Sequence, residues 1–224
     1  MNSKNRTLII VVAAIVLIAG LAGIAVLLSG DDDSNESSVP APVSTDADGQ
    51  PVAAPDLENN RPVEVSGTPL PPYDREVDDP AIGTPAPVIS GQSFDGTPVT
   101  IGGATGKPTM LVFLAHWCPH CNNEIPELIA LDEAGGIPDG VDVIGISTGV
   151  QSGQENYPPS EWIVAKEWPW PVLADDEEST AFLADGGSGF PYTVLLDAEG
   201  NVLGRVAGSR PASEISAWLT ENLG

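Results

Sequence analysis

Cys118 and Cys121 are the only cysteines in this chain of 224 residues, and they lie three positions apart in the run Trp117-Cys118-Pro119-His120-Cys121. An apolar run, residues 110–115, precedes them and an apolar-periodic segment follows, which predicts a strand leading into a helix. Residues three apart in the first turn of a helix share one face, so the two sulfurs can form a disulfide without backbone movement. A Cys-x-x-Cys at such a junction favours reversible thiol–disulfide exchange.

The residues between the two cysteines predict a different role for each sulfur. Pro119 fits the first helical position, where its missing N–H removes no bond. Cys118 then caps the helix, and a thiolate there faces the unpaired N–H groups and the positive end of the helix dipole. Cys118 is therefore predicted to attack, and Cys121, one turn further in, to be more buried and to resolve the mixed disulfide. His120 would add a donor or a positive charge near Cys118, which favours a more oxidising disulfide.

The N-terminus carries a candidate membrane anchor. Residues 7–28 form an uninterrupted apolar stretch, about 33 Å long as a helix, which is enough to span a bilayer. Lys4 and Arg6 precede it and Asp31-Asp32-Asp33 follow it, so the positive-inside rule places the rest of the chain outside the cytoplasm. A cleaved signal peptide is the alternative, but its apolar region is usually shorter. The chain is predicted to be a single-pass protein of the cell membrane with an extracytoplasmic C-terminal domain.

Composition divides the remainder into a linker and a domain. Residues 29–79 are proline-rich, strongly acidic and poor in large apolar residues, which predicts a disordered linker. Residues 80–224 are predicted to form one domain around a single core. The net charge of −24 argues against nucleic acid as a partner, because phosphates require basic groups. A single cysteine pair also provides no framework of structural disulfides.

The hydrophobic patterns predict an α/β domain with a mixed central sheet flanked by helices and the order β-β-β-α-β-α-β-α-β-β-α. The turn Asp95-Gly96 predicts an N-terminal hairpin, and residues 197–201 predict a second one. The predicted strands are 88–90, 99–101, 110–115, 141–146, 172–174, 192–196 and 202–206. The predicted helices are 119–134, 160–167 (capped by Ser160), 177–184 and one that starts at Pro211.

Several motifs together resemble the thioredoxin superfamily, and within it the membrane-anchored TlpA/ResA-type proteins. The residues that carry the resemblance are Trp117-Cys118-Pro119-His120-Cys121, Glu124-Ile125-Pro126, Gly189-Phe190-Pro191-Tyr192-Thr193, and the N-terminal Gly83-Thr84-Pro85-Ala86-Pro87 with Phe94-Asp95-Gly96. The resemblance covers about residues 83–223 and implies a thioredoxin-like fold. It also implies that Pro191 is cis and packs beside the dithiol. A cis proline exposes the backbone before it, so Phe190 is expected to pair with an extended client chain.

The chain departs from the family pattern near the cysteines. Thioredoxins proper carry a buried aspartate six residues before the first cysteine, and Val112 stands there in this chain. Glu124, one turn after Cys121, is a candidate to take the proton of Cys121, and a solvent-exposed helix acid is the alternative. His116 stands where small residues are more usual and is expected at the rim of the site, without a catalytic part. Trp117 is expected to shield the sulfurs.

The resemblance implies a thiol–disulfide oxidoreductase whose only redox group is the Cys118–Cys121 disulfide, with no added cofactor. TlpA/ResA-type relatives mostly act as reductants, for example in cytochrome c maturation, and this favours a reductant here. The Cys-Pro-His-Cys motif looks like that of the oxidant DsbA, so a thiol oxidase is the alternative. The expected partners are client proteins with cysteines and a membrane redox partner, either a dithiol carrier or a quinone-linked oxidase.

Two functions of other classes are less favoured. A copper-binding chaperone module would use the four potential ligands of residues 116–121, but four ligands within six residues cannot easily surround a metal ion. These ligands would be His116, Cys118, His120 and Cys121. A peroxidase is disfavoured because the Pro-x-x-x-Thr-x-x-Cys signature is absent from the chain.

Overall fold

A computed structural model describes residues 58–74 and 78–224 of the chain. The strands are β1 (Glu64–Ser66), β2 (Val88–Gln92), β3 (Pro98–Ile101), β4 (Thr109–Leu114), β5 (Asp142–Ser147), β6 (Val172–Ala174), β7 (Tyr192–Leu196) and β8 (Val202–Ala207). The helices are α1 (Pro119–Glu133), α2 (Pro159–Ala165), α3 (Thr180–Ala184) and α4 (Ala212–Leu223). The predicted anchor, residues 7–28, lies outside the described residues, and within the two described ranges no helix is long and apolar enough to cross a bilayer.

The strands form a mixed sheet in the order β1-β2-β6-β5-β4-β7-β8, with β3 paired to β2. Strand β4 runs parallel to β5, and β5 runs parallel to β6, as expected for strands joined through helices. Strands β7 and β8 add antiparallel to the other side of β4. The predicted mixed sheet is therefore confirmed, and β4, which leads into the cysteines, lies inside it between β5 and β7.

Side chains of β4 alternate between two apolar clusters, one on each face of the sheet. Val112 and its neighbours at every second position pack under α1, α2 and α4, in the cluster that also contains both cysteines. Phe113 packs on the opposite face against α3 and the residues before β2. Since β4 is buried along its whole length, its C-terminal end is a rigid support for the residues that follow.

The N-terminal hairpin and the start of α3 illustrate how polar residues set the element ends. Strands β2 and β3 pair antiparallel around Asp95, whose carboxylate accepts the Thr97 N–H at 2.9 Å, so the predicted hairpin is confirmed. Helix α3 begins at Thr180 rather than at residue 177, because Asp176 accepts the Thr180 N–H at 2.8 Å. The carboxylate of Asp175 accepts the next two N–H groups.

Helix α2 begins differently from its prediction. Pro158 is its N-cap and Pro159 its first residue, so the predicted cap at Ser160 is wrong. The Ser160 hydroxyl instead donates to Asn59 Oδ1 at 3.2 Å. The peptide bond between Tyr157 and Pro158 is cis, which the sequence did not predict.

Part of the predicted linker belongs to the folded domain, so the predicted boundary at residue 80 is too late. Strand β1 pairs with β2, with Val65 opposite Ile89. Leu70 is buried in the cluster that contains Phe113. The carboxylate of Asp79 forms a buried ion pair with Arg205 of β8. We call residues 58–74 and 78–79 the N-terminal segment.

Candidate active site

Cys118 sits at the N-terminus of α1, as predicted. It is the N-cap residue in an extended conformation (φ −75°, ψ 119°), and Pro119 follows as the first helical residue. The Cys121 N–H donates to Cys118 Sγ at 3.5 Å, so one of the helix's unpaired N–H groups points at this sulfur. This arrangement points one backbone hydrogen-bond donor and the positive end of the helix dipole at Cys118 Sγ.

The two cysteines differ in access to solvent. Cys118 is 4% exposed and Cys121 is 0% exposed, and both are free thiols. Burial raises the pKa of the Cys121 thiol, and the neighbouring Cys118 and Glu124 raise it further, although a hydrogen bond with the Ala115 backbone opposes these effects. Cys121 therefore keeps its proton until a base takes it.

The loop before β7 closes one side of the dithiol. The Phe190–Pro191 peptide bond is cis, as the resemblance implied. The Cys118 thiol donates to the carbonyl oxygen of Phe190 at 3.7 Å. Phe190 itself is half-buried beside this sulfur.

Aromatic rings surround this contact. Trp117 meets Phe190 edge-on, with 5.8 Å between ring centroids. Phe190 in turn stacks on Phe182 of α3 at 4.6 Å. The Trp117 indole N–H donates to the Gly149 carbonyl at 2.7 Å, which fixes the ring beside the sulfurs. Pro119 and His120, by contrast, are exposed on the first turn of α1.

Glu124 is buried rather than on the solvent face of α1, since it is only 3% exposed. Its Oε2 accepts the Arg210 N–H at 3.0 Å. Burial raises the pKa of Glu124 to about 7, and this rise is opposed by hydrogen bonds with Arg210 and Ser209 and by the Arg210 charge. A carboxyl group with this pKa can either hold or release a proton near neutral pH.

A small cavity lies behind this carboxyl group. It has about 10 Å³ of water-accessible volume, and its lining includes Glu124, Thr193 and Arg210. A cavity of this size is close to the minimum for one water molecule, and polar groups in its wall supply partners for one. Glu124 thus borders this small cavity near Arg210 and also lies close enough to Cys121 to affect its pKa.

His116 is not at the rim of the site, contrary to the expectation, because it is only 1% exposed. Its Nδ1 lies 2.7 Å from the Glu155 carbonyl oxygen, and its Nε2 accepts the Gln151 N–H at 3.2 Å. Burial lowers the pKa of His116, and the hydrogen bond with Glu155 opposes this. Sequence reasoning missed these contacts because their partners lie more than 30 residues away.

Asn122 is a second residue that sequence reasoning missed. Its side-chain amide donates to the carbonyls of Cys118 at 2.9 Å and His116 at 3.0 Å. Its Oδ1 accepts the indole N–H of Trp162 at 2.9 Å. One side chain thus ties the start of α1 to the residue before Trp117 and to α2, and a polar residue directly after the second cysteine was the only sequence signal for it.

The described residues contain no cluster of three or more His, Cys, Asp or Glu side chains that could hold a metal ion. His116, one of the four potential copper ligands, uses both ring nitrogens in hydrogen bonds with the backbone of residues 151–155. Together, the described residues at the start of α1 bring two free thiols and a buried carboxyl group to one site, and disulfide exchange needs such a dithiol.

Comparison with known proteins agrees with this geometry. The model of the AhpC/TSA family matches residues 82–205, more than half of the chain and the whole stretch from before β2 to β8. The chain belongs to the AhpC/TSA family.

Named relatives match about half of this AhpC/TSA chain. The methylamine utilization protein MauD of Methylobacillus flagellatus is 32% identical over 123 residues, 54% of this chain and 55% of the relative. The thiol:disulfide interchange protein DsbE of Pseudomonas aeruginosa is 28% identical over 103 residues, 46% of this chain and 52% of the relative. The matched region therefore spans about half the length of these relatives.

Solved structures show the fold of this AhpC/TSA chain. A structure assigned to a DsbE-type thiol:disulfide interchange protein of Chlorobium tepidum superposes with a TM-score of 0.54 at 23% identity, covering 64% of this chain and 98% of that one. The thioredoxin domain of a thiol-disulfide oxidoreductase of Bacteroides vulgatus gives 0.51 at 23% identity, covering 64% and 99%. The thioredoxin-like fold with a mixed central sheet and flanking helices is confirmed.

Proposed function

We propose that this protein is a thiol–disulfide oxidoreductase that exchanges its Cys118–Cys121 dithiol with the disulfides of client proteins. The observation that carries the proposal is the placement of Cys118 Sγ at the N-terminus of α1, against the Phe190 carbonyl, with Cys121 fully buried one turn behind it. The names of the DsbE and HelX relatives, both thiol:disulfide interchange proteins, support the same chemistry.

The reaction balances in two exchanges. The Cys118 thiolate attacks one sulfur of a client disulfide, which forms a mixed disulfide and releases the other client sulfur as a thiolate. Cys121 then loses its proton and attacks Cys118 Sγ, which releases the second client sulfur. The client gains two electrons and two protons and becomes a dithiol, while Cys118 and Cys121 become a disulfide. The reverse sequence oxidises a client dithiol.

Glu124 is proposed to accept the proton of Cys121 in the second exchange. Burial holds the thiol form of Cys121, so the attack requires a nearby base. Glu124 is coupled to Cys121 by charge, and its pKa of about 7 suits proton transfer at neutral pH. No other buried carboxylate is supplied from β4, where Val112 occupies the position used by thioredoxins proper.

The backbone beside the cis Pro191 is proposed as the docking edge for the client. An extended client strand that pairs with the backbone at Phe190 would lie against Cys118, because the Phe190 carbonyl is already within 3.7 Å of the sulfur. Trp117 and the exposed Pro119 and His120 would border this edge, and the His120 side chain would tune the reduction potential.

The cellular setting is proposed from the sequence and the relatives. Residues 7–28 would anchor the chain in the cell membrane and keep the domain outside the cytoplasm. The clients would be extracytoplasmic proteins with cysteines, such as apocytochromes, and a membrane dithiol carrier would return electrons to the disulfide. We favour the reducing direction because the TlpA/ResA-type proteins, which the sequence resembles, mostly act as reductants. An oxidant of the DsbA type would instead require a quinone-linked oxidase.

A trapping experiment and a redox titration test this proposal. Cys121→Ser should accumulate client proteins as mixed disulfides on Cys118, whereas Cys118→Ser should accumulate none. Adducts that form only through Cys121 would contradict the assigned roles. Equilibration of the full chain with glutathione buffers gives the direction: a potential below about −220 mV favours the reductant, and one near −120 mV favours the oxidant. A pair that does not cycle between dithiol and disulfide would overturn the proposal.

A further inference from the structure

The loop between β5 and α2 is attached to the two residues that precede Cys118. We call residues 148–158 the flanking loop; it contains no helix or strand. Its Gly149 carbonyl accepts the Trp117 indole N–H, and its Asn156 side chain donates to the His116 carbonyl at 3.0 Å. The His116 ring makes the two remaining bonds, to Gln151 and Glu155. A segment without regular structure is thereby held by four hydrogen bonds beside the dithiol.

These partners determine the state of the His116 ring. The Gln151 N–H can only donate, so Nε2 must carry a lone pair and no hydrogen. The Glu155 carbonyl can only accept, so Nδ1 must carry the hydrogen. The ring is therefore neutral and in the Nδ1–H form. The Tyr157 ring meets the His116 ring edge-on, with 6.0 Å between ring centroids, and this contact and the burial of the site leave His116 little freedom to turn.

The flanking loop lies next to the proposed docking edge. A Cβ atom on Gly149 would be 3.3 Å from the Phe190 ring, so the loop backbone approaches that ring closely. Val150 is half-buried, while most residues from Gln151 to Asn156 are exposed to solvent. An extended chain that pairs beside Phe190 would meet this loop as the neighbouring wall. A loop that is ordered before binding favours association, because less conformational entropy is lost on docking.

We infer that His116 is a positioning residue that holds the flanking loop as a preformed wall for the polypeptide client. The inference rests on the proposed exchange with protein disulfides. It assigns His116 a role in client docking and none in the sulfur chemistry itself, because the ring nitrogens face the loop backbone on both sides. Exchange with polypeptide disulfides should therefore depend on His116. Exchange with small disulfides, which need no wall for docking, should not.

The kinetic test compares two substrates on the full chain, with dithiothreitol returning electrons to the Cys118–Cys121 disulfide after each turnover and the uncatalysed rate subtracted. His116→Leu removes both ring hydrogen bonds and should raise KM for a ten-residue peptide with an internal Cys-x-x-Cys disulfide roughly ten-fold, with kcat nearly unchanged. The rate with oxidised glutathione should change by less than two-fold. His116→Asn, which keeps a donor near the Nδ1 position, and His116→Gln, which keeps an acceptor near the Nε2 position, should each restore part of the loss.

A second measurement determines the protonation state of the His116 ring. The chain has only two histidines, so its imidazole ¹⁵N spectrum contains two rings, and His120→Gln identifies the other one. His116 should appear as the neutral Nδ1–H form at pH 7. A cationic ring or the Nε2–H form would overturn the assignment of its two bonds.

The control and the remaining outcomes separate this inference from the proposed function. Ile101→Val perturbs the core cluster that contains Phe113, and it should lower the unfolding temperature without raising KM for the peptide. Equal losses with both substrates in His116→Leu, or no loss with either, would overturn the positioning role while the dithiol remains active. If the unmodified chain fails to react with oxidised glutathione as well as with the peptide, the proposed function itself fails.

Discussion

The start of helix α1 and the N-terminal segment are held in the fold by different kinds of contact. At the start of α1, the two bonds that form the cap join residues three and four positions apart, from the Cys121 N–H to Cys118 Sγ and from the Asn122 side-chain amide to the Cys118 carbonyl. The N-terminal segment is held by Asp79 and Arg205, which are 126 positions apart. The cap of α1 is encoded locally, whereas the attachment of the N-terminal segment exists only after the sheet has formed.

The largest expected effect comes from breaking the long-range contact. Asp79→Ala removes the carboxylate from a buried ion pair and leaves the Arg205 guanidinium without it. Loss of one partner of such a pair costs about 3–5 kcal/mol in the free energy of unfolding. Asp185 cannot replace the charge at neutral pH, since burial raises its pKa to about 8. Denaturant unfolding of the reduced chain measures the loss.

Glu64→Ala is the control for Asp79→Ala. Glu64 lies in the same segment and carries the same charge, but its side chain is exposed in β1, so its loss should change the free energy of unfolding by less than about 0.5 kcal/mol. The reaction of the folded Asp79→Ala protein with oxidised glutathione should stay close to normal. Similar small losses for both variants would mean that the ion pair does not hold the N-terminal segment.

The same contrast between local and long-range contacts explains how much of the structure the sequence could predict. The Cys118 cap and Pro119 at the first helical position followed from neighbouring residues, and the structure confirms both. The cis bond before Pro191 followed from the family resemblance. The roles of Arg205 and His116 did not follow, because their partners are far away in sequence and no periodicity connects them.

One signal for the long-range contact was present but not decisive. Arg205 is among only eight lysines and arginines in the chain, and it stands inside an apolar strand. A buried position for this base was therefore a reasonable expectation, since a charged residue in a buried strand requires a partner. Its partner could not be chosen among 32 acidic residues without the topology that brings Asp79 to β8.

Glu124→Gln tests the local region through the pH dependence of stability. The pKa of Glu124 is about 7 in the folded protein against an ordinary value of 4.5, so the folded state holds a proton that the unfolded state releases between these values. The protonated carboxyl contributes its full stability below pH 4.5, and this is lost as the pH rises through about 7. The loss should total roughly 3 kcal/mol. The introduced glutamine cannot titrate. Between pH 4.5 and about 7, Glu124→Gln should therefore lose less free energy of unfolding than the unmodified chain, by that same amount.

His116 changes the free energy of unfolding in the opposite direction over an overlapping pH range. It does so in both the unmodified chain and Glu124→Gln. Its pKa in the folded protein is below 6.5, so the unfolded state binds the proton first and stability falls as the pH is lowered below about 6.5. The difference between the unmodified chain and Glu124→Gln therefore isolates the carboxyl group. The amide oxygen of the introduced glutamine can still accept the Arg210 N–H. Parallel stability curves for the two proteins across the window between the unfolded and folded pKa values of Glu124 would contradict the raised pKa.

The smallest expected effect comes from Gly186→Ala, which tests the packing of the N-terminal segment against the loop after α3. Gly186 has φ +76°, and an added Cβ would overlap the Pro71 carbonyl and the Arg205 guanidinium. Gly83 has nearly the same φ, +75°, but no atom lies within 4 Å of an added Cβ. Both glycine-to-alanine variants carry the cost of a left-handed conformation, about 1 kcal/mol, and only Gly186→Ala adds overlap, at about 1–2 kcal/mol more. Equal midpoints of denaturant unfolding for Gly186→Ala and Gly83→Ala would show that the segment moves aside without cost, and the buried ion pair would then be its main attachment.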